Sequence, residues 1–436
     1  MPELSPSLLA LGKLLLTFAA ILILLRLRLA LWKTLFAACA LLAILCALPA
    51  ASWIRIPLTS LGQTDFLCMQ VMLFGIMVLS ALQEAGGQSQ RLVEGLESHI
   101  RHPRIRLILF PAVVGLLPMP GGALFSCPML DAASRGLPID ANRKTLINYW
   151  FRHIWEVAWP LYPGYILTCS LLGISLLTLA QYTFPLIFLA IGTGWFFFLR
   201  DIPSQPDTAS PKISPAAPPP ALSHVLLEAL PLAVTLAGAG IFAVLLSIAA
   251  PAAPSQLAFI LSLSLAVIVA FRQNKKYLRT PLRKLLFNAP LFRLLLLIYA
   301  VFVFKDTILA SGIIKDISTL GSNNLVILLL FLVLPFLCGI LTGVMVGFVG
   351  ACFPILMGIL PQAGLQEQLL PLVVAAIICG NAGQLLTPLH ICLIVSCEYF
   401  QTPFAQVWKR LLVPVAAQIA YGVLWAFILF TAGARI

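Results

Sequence analysis

The chain has 436 residues, of which 61% are hydrophobic and 10% charged, whereas a water-soluble domain carries roughly 25% charged residues. No soluble core absorbs that excess. The net charge of +12 does not signal nucleic acid, because nearly all Lys and Arg fall in a few short connections between apolar runs, a mark of membrane topology.

About ten apolar runs reach the ~18 residues or more that cross ~30 Å of hydrocarbon, which predicts an all-α polytopic membrane protein. The start, MPELSPSLLALGK, lacks the basic region and small-residue cleavage site of a signal peptide, so the first run is expected to remain as a span. The first two spans, at about 8–25 and 29–48, are joined by a turn with Arg26, Arg28 and Lys33 that belongs in the cytoplasm. A third span, about 66–82, returns to a basic amphipathic stretch with Arg91, Arg101, Arg104 and Arg106. The next apolar run, Leu107 to Leu130, holds Pro111, Pro118, Pro120, Gly121, Gly122 and Pro128. Proline removes a backbone donor and breaks helices, so this run is predicted to fold as a re-entrant hairpin of two half-length helices.

An interrupted span at about 148–178 and another at about 182–199 lead to the Pro- and Ser-rich stretch 200–223, expected to be a flexible cytoplasmic linker. Further spans at about 225–249, 255–271 and 287–304 follow, with the basic loop RQNKKYLRTPLRK inside and the segment Lys305–Asn324 outside. The remainder is expected to hold a second hairpin at about 325–360, a second broken span and a last span.

The two sides of the linker match. GGALFSCPML (Gly121–Leu130) aligns with GFVGACFPIL (Gly347–Leu356), pairing Pro128 with Pro354, and the same offset pairs Gly86 with Gly312. After a short slip, RHIWEVAWPLYPG (Arg152–Gly164) faces GNAGQLLTPLHIC (Gly380–Cys392), pairing Pro160 with Pro388. The stretch before the first hairpin is basic and its counterpart is neutral, so the two repeats, 1–199 and 224–436, are expected to be inverted in the membrane. Inverted repeats with broken helices are an architecture of secondary carriers.

These motifs, LPMPGGALFSCPMLD and GNAGQLLTPLH in their places, resemble the ion-transporter superfamily of hairpin-containing carriers. The whole chain resembles most closely the ten-span family catalogued as domain of unknown function four hundred and one. The resemblance implies elevator-like alternating access, a homodimer and a scaffold formed by the first two spans of each repeat. The dicarboxylate carriers of that group carry Ser-Asn-Thr at each hairpin tip. Here Pro-Gly-Gly and Gly-Ala-Cys stand there, so dicarboxylate specificity does not carry over.

Non-helical backbone at mid-membrane depth survives only inside protein or beside a wet cavity. The candidate site is therefore the two hairpin tips and the two breaks: Gly121, Gly122, Ala123 and Ser126, then Gly347, Gly350, Ala351 and Cys352. Ionisable and polar residues within spans add His153, Glu156, Asn381, Gln384, Thr387 and His390. Arg152 and Glu156, four apart, are expected to pair on one helix face. Trp155, Trp159 and Tyr162 are expected to act as packing or interface anchors. The ten cysteines show no CxxC pair and no His at zinc-site spacing, so neither disulfides nor a metal cluster is expected.

The predicted function is secondary transport of a small, anionic organic solute across the bacterial inner membrane. The coupling ion is Na⁺, held at the hairpin tips, or H⁺; no other cofactor and no nucleic-acid partner is expected. A channel and an intramembrane enzyme are the alternatives, although HExxH, GxGD and GxSG motifs are absent and no P-loop points to ATP. The topology predicts that single cysteines at Ser210 and Lys275 react with membrane-impermeant reagents only from the cytoplasmic side. Labelling of either in intact cells would overturn the inverted scheme.

Overall fold

The computed structural model describes residues 6–97, 99–100, 102–116, 122–203, 221–254, 256–313, 324–362 and 364–434, and every regular element among them is helical. In chain order these are α1 (Pro6–Arg26), α2 (Leu31–Leu45), α3 (Ala50–Leu61), α4 (Thr64–Ala85), α5 (Gln88–Glu97), α6 (Pro103–Gly115), α7 (Ala123–Ala133), α8 (Ala141–His153), α9 (Pro163–Leu172) and α10 (Leu176–Gly194). A π-helical turn, Trp195–Leu199, extends α10. The stretch expected to be the linker lies mostly outside the described residues. Beyond it come α11 (Leu222–Ala249), α12 (Gln256–Asn274), α13 (Leu282–Leu286), α14 (Ala289–Ala310), α15 (Asn324–Thr342), α16 (Met345–Gln362), α17 (Leu369–Leu386), α18 (Ile391–Tyr399) and α19 (Phe404–Thr431).

Seven segments among the described residues are long and apolar enough to cross a membrane, so the chain is a membrane-embedded helical protein. The other expected spans fall on α1, on the broken pair α8–α9, and on α2, whose 15 residues are fewer than the ~20 of a full crossing.

Helix α3 and the end of α14 depart from expectation. Helix α3 was not foreseen, because a Pro-containing stretch with Arg55 lacks the apolar length of a span. Helix α14 runs on to Ala310, so Lys305 and Asp306 continue the helix instead of opening a loop. There Asp306 Oδ2 accepts from Ser60 Oγ at 2.5 Å and from Gln63 Nε2 at 2.7 Å, which ties α3 and the α3–α4 turn to α14.

The breaks follow from local chemistry. Asp140 starts α8, accepting from the Arg143 amide at 2.5 Å. Partial burial works against the charge of Asp140, but the Arg143 amide and the Arg410 guanidinium outweigh it and hold the carboxyl below its ordinary range. Helix α8 stops at His153, ahead of Pro160, and Pro163 opens α9. Helix α17 stops at Leu386, just ahead of Pro388.

Helices α6 and α7 pack against each other. With 13 and 11 residues they rise only ~20 and ~17 Å, too little to cross. Helices α15 and α16 occupy the region of the second expected hairpin but exceed half-length, at 19 and 18 residues, or ~28 Å each. The reason is that Pro335 and Pro354 sit within these helices instead of ending them. Gly343, at φ +67°, turns the chain between them.

Helix α2 packs on α14 and α4 on α12, while α9 packs on α16 and α7 on α18. Helices α15 and α17 make the most extensive helix pair. Their backbones meet at glycines: a Cβ on Gly383 would strike the Phe336 carbonyl, and one on Gly339 the Gly380 carbonyl. Gly383→Ala is therefore expected to lower the yield of monodisperse protein sharply. Gly240→Ala, at a position with nothing within 4 Å, should leave it unchanged. Equal yields in size-exclusion chromatography would refute this packing.

Candidate functional site

Where α8 and α17 end, their last turns face each other and enclose a buried polar cluster. Glu156 lies in the irregular turn after α8, and its Oε2 accepts from Gln384 Nε2 at 2.5 Å and from Asn381 Nδ2 at 3.3 Å. Gln418 on α19 supports the arrangement, donating Nε2 to Asn381 Oδ1 at 2.7 Å. The other carboxylate oxygen, Oε1, faces His153 Nε2 at 4.0 Å.

The histidine tautomer follows from its surroundings. His153 Nδ1 lies 2.5 Å from the Tyr149 carbonyl, which only accepts, so Nδ1 carries the proton. In the neutral ring Nε2 is then a lone pair pointing towards a carboxylate, with no hydrogen-bond partner of its own. Two acceptors facing each other in a dry interior favour a cation or proton between them. His390 completes the group, its ring centroid 4.6 Å from that of His153 and its Nε2 3.4 Å from Gln384 Nε2. The Tyr149 ring lies 4.6 Å from His153 and 5.3 Å from His390, and its hydroxyl donates to the Leu385 carbonyl at 3.1 Å.

The expected Arg152–Glu156 pair does not form. Pairing at a four-residue spacing needs continuous helix, and α8 ends at His153. Arg152 instead donates Nη1 to Cys392 Sγ at 2.7 Å. Its guanidinium also covers Gly122, where any Cβ would collide with it. That close approach is the physical reason for glycine at the start of α7.

A family model described as Protein of unknown function (DUF401) matches residues 7–429. The chain belongs to the DUF401 family. No curated protein matches it.

Within this DUF401 chain the remaining sequence-predicted positions separate into groups. Gly121 lies outside the described residues. Ala123 and Ser126 are fully buried in the first turn of α7, with the Ser126 hydroxyl 3.4 Å from the Gly122 carbonyl. Near the second tip, Gly347 faces Thr342, Gly350 faces Val301, Ala351 is buried, and the Cys352 thiol bonds the Phe348 carbonyl at 2.9 Å. These contacts are helix packing, and none of them reaches Glu156. Thr387 Oγ1 accepts from the Leu389 amide at 3.2 Å, fixing the α17–α18 turn.

Trp155, Trp159 and Tyr162 do more than pack. They donate to the Ala112, Leu116 and Gly115 carbonyls at 2.8, 2.9 and 2.6 Å, capping the end of α6. Sequence inspection passed over Gln418, Asn148 and Ser396, although each is a polar residue in an apolar helix. Asn148 Nδ2 bonds Ser396 Oγ at 2.8 Å, which joins α8 to α18.

Glu156→Leu strands the Gln384 and Asn381 amides without an acceptor and is expected to cost about 2–4 kcal/mol. Glu156→Gln keeps an acceptor and should cost less. Thermal unfolding in detergent ranks the two, and equal midpoints would remove Glu156 from the network.

Proposed function

We propose that this protein is a secondary transporter that moves a small organic anion by alternating access, driven by a H⁺ or Na⁺ gradient. The observation that carries the proposal is the Glu156–Gln384–Asn381 cluster. It is a buried carboxylate at one helix break, bonded by amides from the helix that ends at a second break. In an apolar interior such a group is costly to keep, and helix breaks with freed backbone groups are where carriers hold solute and ion.

The order of elements supports two inverted repeats. Each side of the linker runs through two helices, a short connecting helix, a long helix, a paired set of helices, a broken helix and a terminal span, with α5 on the first side having no counterpart among the described residues. The packing pairs repeat in the same sense, α2 on α14 with α12 on α4, and α9 on α16 with α19's neighbour α18 on α7. In this arrangement α6–α7 is a re-entrant hairpin whose tip closes on Arg152 through Gly122. Arg152 and the hairpin end draw the anion, and where H⁺ is the coupling ion Glu156 and His153 carry it. The homodimer rests on the resemblance to ion-transporter carriers, and the weakly buried outer face of α11 is open to lipid or a second copy.

Reconstituted protein is expected to show saturable counterflow of its solute. Glu156→Gln should abolish gradient-driven uptake but retain exchange. Non-saturable flux would indicate a channel, and a chemically altered solute would indicate an enzyme. If Gly122→Val, Asn381→Ala and His390→Ala all transport as wild type while folded, the site is wrongly placed.

A further inference from the structure

The fold brings together three side chains that linear spacing keeps apart. A nitrogen from each of His153 and His390 and the sulfur of Cys392 lie within 4.8 Å of one another, all buried. We propose that His153, His390 and Cys392, with Glu156 as fourth donor, form a binding site for one transition-metal cation of the Zn²⁺ class.

Three features carry this. The first is donor chemistry, since two imidazoles, a sulfur and a carboxylate are a donor set for borderline-soft ions and not for Na⁺. The second is orphaned polarity. His153 Nε2 and His390 Nδ1 have no hydrogen-bond partner, although the two residues are only 3% and 7% exposed. An unpaired polar nitrogen at that depth is unfavourable unless something binds it, and His390 takes the other tautomer when Nδ1 becomes a ligand. The third is the outer arrangement. Metal-binding histidines characteristically donate their second nitrogen to a carbonyl, and His153 Nδ1 does so to Tyr149 at 2.5 Å. Arg152 Nη1, at 2.7 Å from Cys392 Sγ, supports the thiolate form in the same way.

The charges are compatible. Binding of the ion displaces the Cys392 thiol proton, and the resulting thiolate with the Glu156 carboxylate outnumbers the single Arg152 guanidinium, so a divalent ion is not repelled. Tetrahedral bonds of ~2.0–2.3 Å place donors ~3.3–3.8 Å apart, so rotations that draw the two imidazole nitrogens and the sulfur together by about 1 Å seat those three, and Glu156, whose Oε1 lies 4.0 Å from His153 Nε2, turns in as the fourth. The ligands come from both sides of the linker, His153 and Glu156 from one and His390 and Cys392 from the other. A bound ion therefore staples the α8 break to the α17–α18 break.

The test uses full-length detergent-purified protein stripped with chelator and titrated with Co²⁺, then with Zn²⁺ as competitor. One Co²⁺ per chain with a thiolate-to-cobalt charge-transfer band, displaced by Zn²⁺, is expected. Cys392→Ser should lose the band, and His153→Ala and His390→Ala should each weaken binding 10-fold or more. Size-exclusion profiles identify any variant that fails to fold, and His390→Gln serves as a milder replacement. Absence of the band, or binding that survives all three substitutions, overturns the site. Binding is read without transport, so this outcome leaves the carrier proposal standing, and a failed counterflow assay leaves the metal site standing.

Discussion

The arrangement depends on one carboxylate kept where water is scarce. Glu156 sits in an irregular turn and makes no direct ion pair with Arg152, whose guanidinium acts on it only through its field; its hydrogen bonds come from neutral amides more than two hundred residues away, with Gln384 at 2.5 Å. Removing either partner leaves a polar group stranded in a dry interior, so the two sides of the chain are bound to one another through this contact. Gln418 behind Asn381 extends the dependence to α19. A polar network of this kind specifies a single packing among many that apolar helices alone would tolerate.

The same accounting explains the aromatic residues. A helix that ends inside the molecule leaves carbonyls without partners, and each needs a donor. At the end of α6 the donors are Trp155, Trp159 and Tyr162. At the end of α17 they are Tyr149, on the Leu385 carbonyl at 3.1 Å, and Trp408, on the Leu386 carbonyl at 2.8 Å. Aromatic side chains suit the task, because each brings a large apolar body and a single polar edge. The broken segments are thus capped from neighbouring elements, so a change in how those elements meet also uncovers backbone.

The sequence made some of this legible and hid the rest. Proline positions located both breaks, because the absence of a donor is a local property. Isolated polar residues in apolar runs pointed to His153, Glu156, Asn381, Gln384 and His390, and the structure gathers these five. The rule was applied too narrowly at Gln418 and Asn148. One expectation failed for a physical reason: the Arg152–Glu156 pair assumed a helix that ends too early. The second tip's glycines, expected beside a ligand, also make close helix contacts, which depend on distant segments. Helix α3 was hidden because it is too short and too polar to read as a span. The clustering of His153, His390 and Cys392 was invisible because it depends on how two distant breaks are juxtaposed.

The packing also constrains how such a molecule changes shape. Helices α4 and α14 are each shared, α4 between α12 and α9, α14 between α2 and α16. On one side α4 and α5 are fastened to α11 and α12 by a dense polar tie. Arg91 grips Glu228 with both nitrogens, at 2.7 and 3.1 Å, and reaches Asn274 at 3.1 Å, while Gln88 bonds Gln273 at 2.8 Å. The broken helices are instead joined by the bonds around Glu156 and by Asn148–Ser396, Tyr149–Leu385 and Arg152–Cys392, without an ion pair between them among the described residues. Under the proposed transport reading, the Arg91 tie belongs to the immobile frame, and α4 and α14 are the surfaces along which the broken-helix core slides. In that reading, protonation of Glu156 would weaken the contact that holds the core in one position, so ion and motion would be coupled through the same carboxylate.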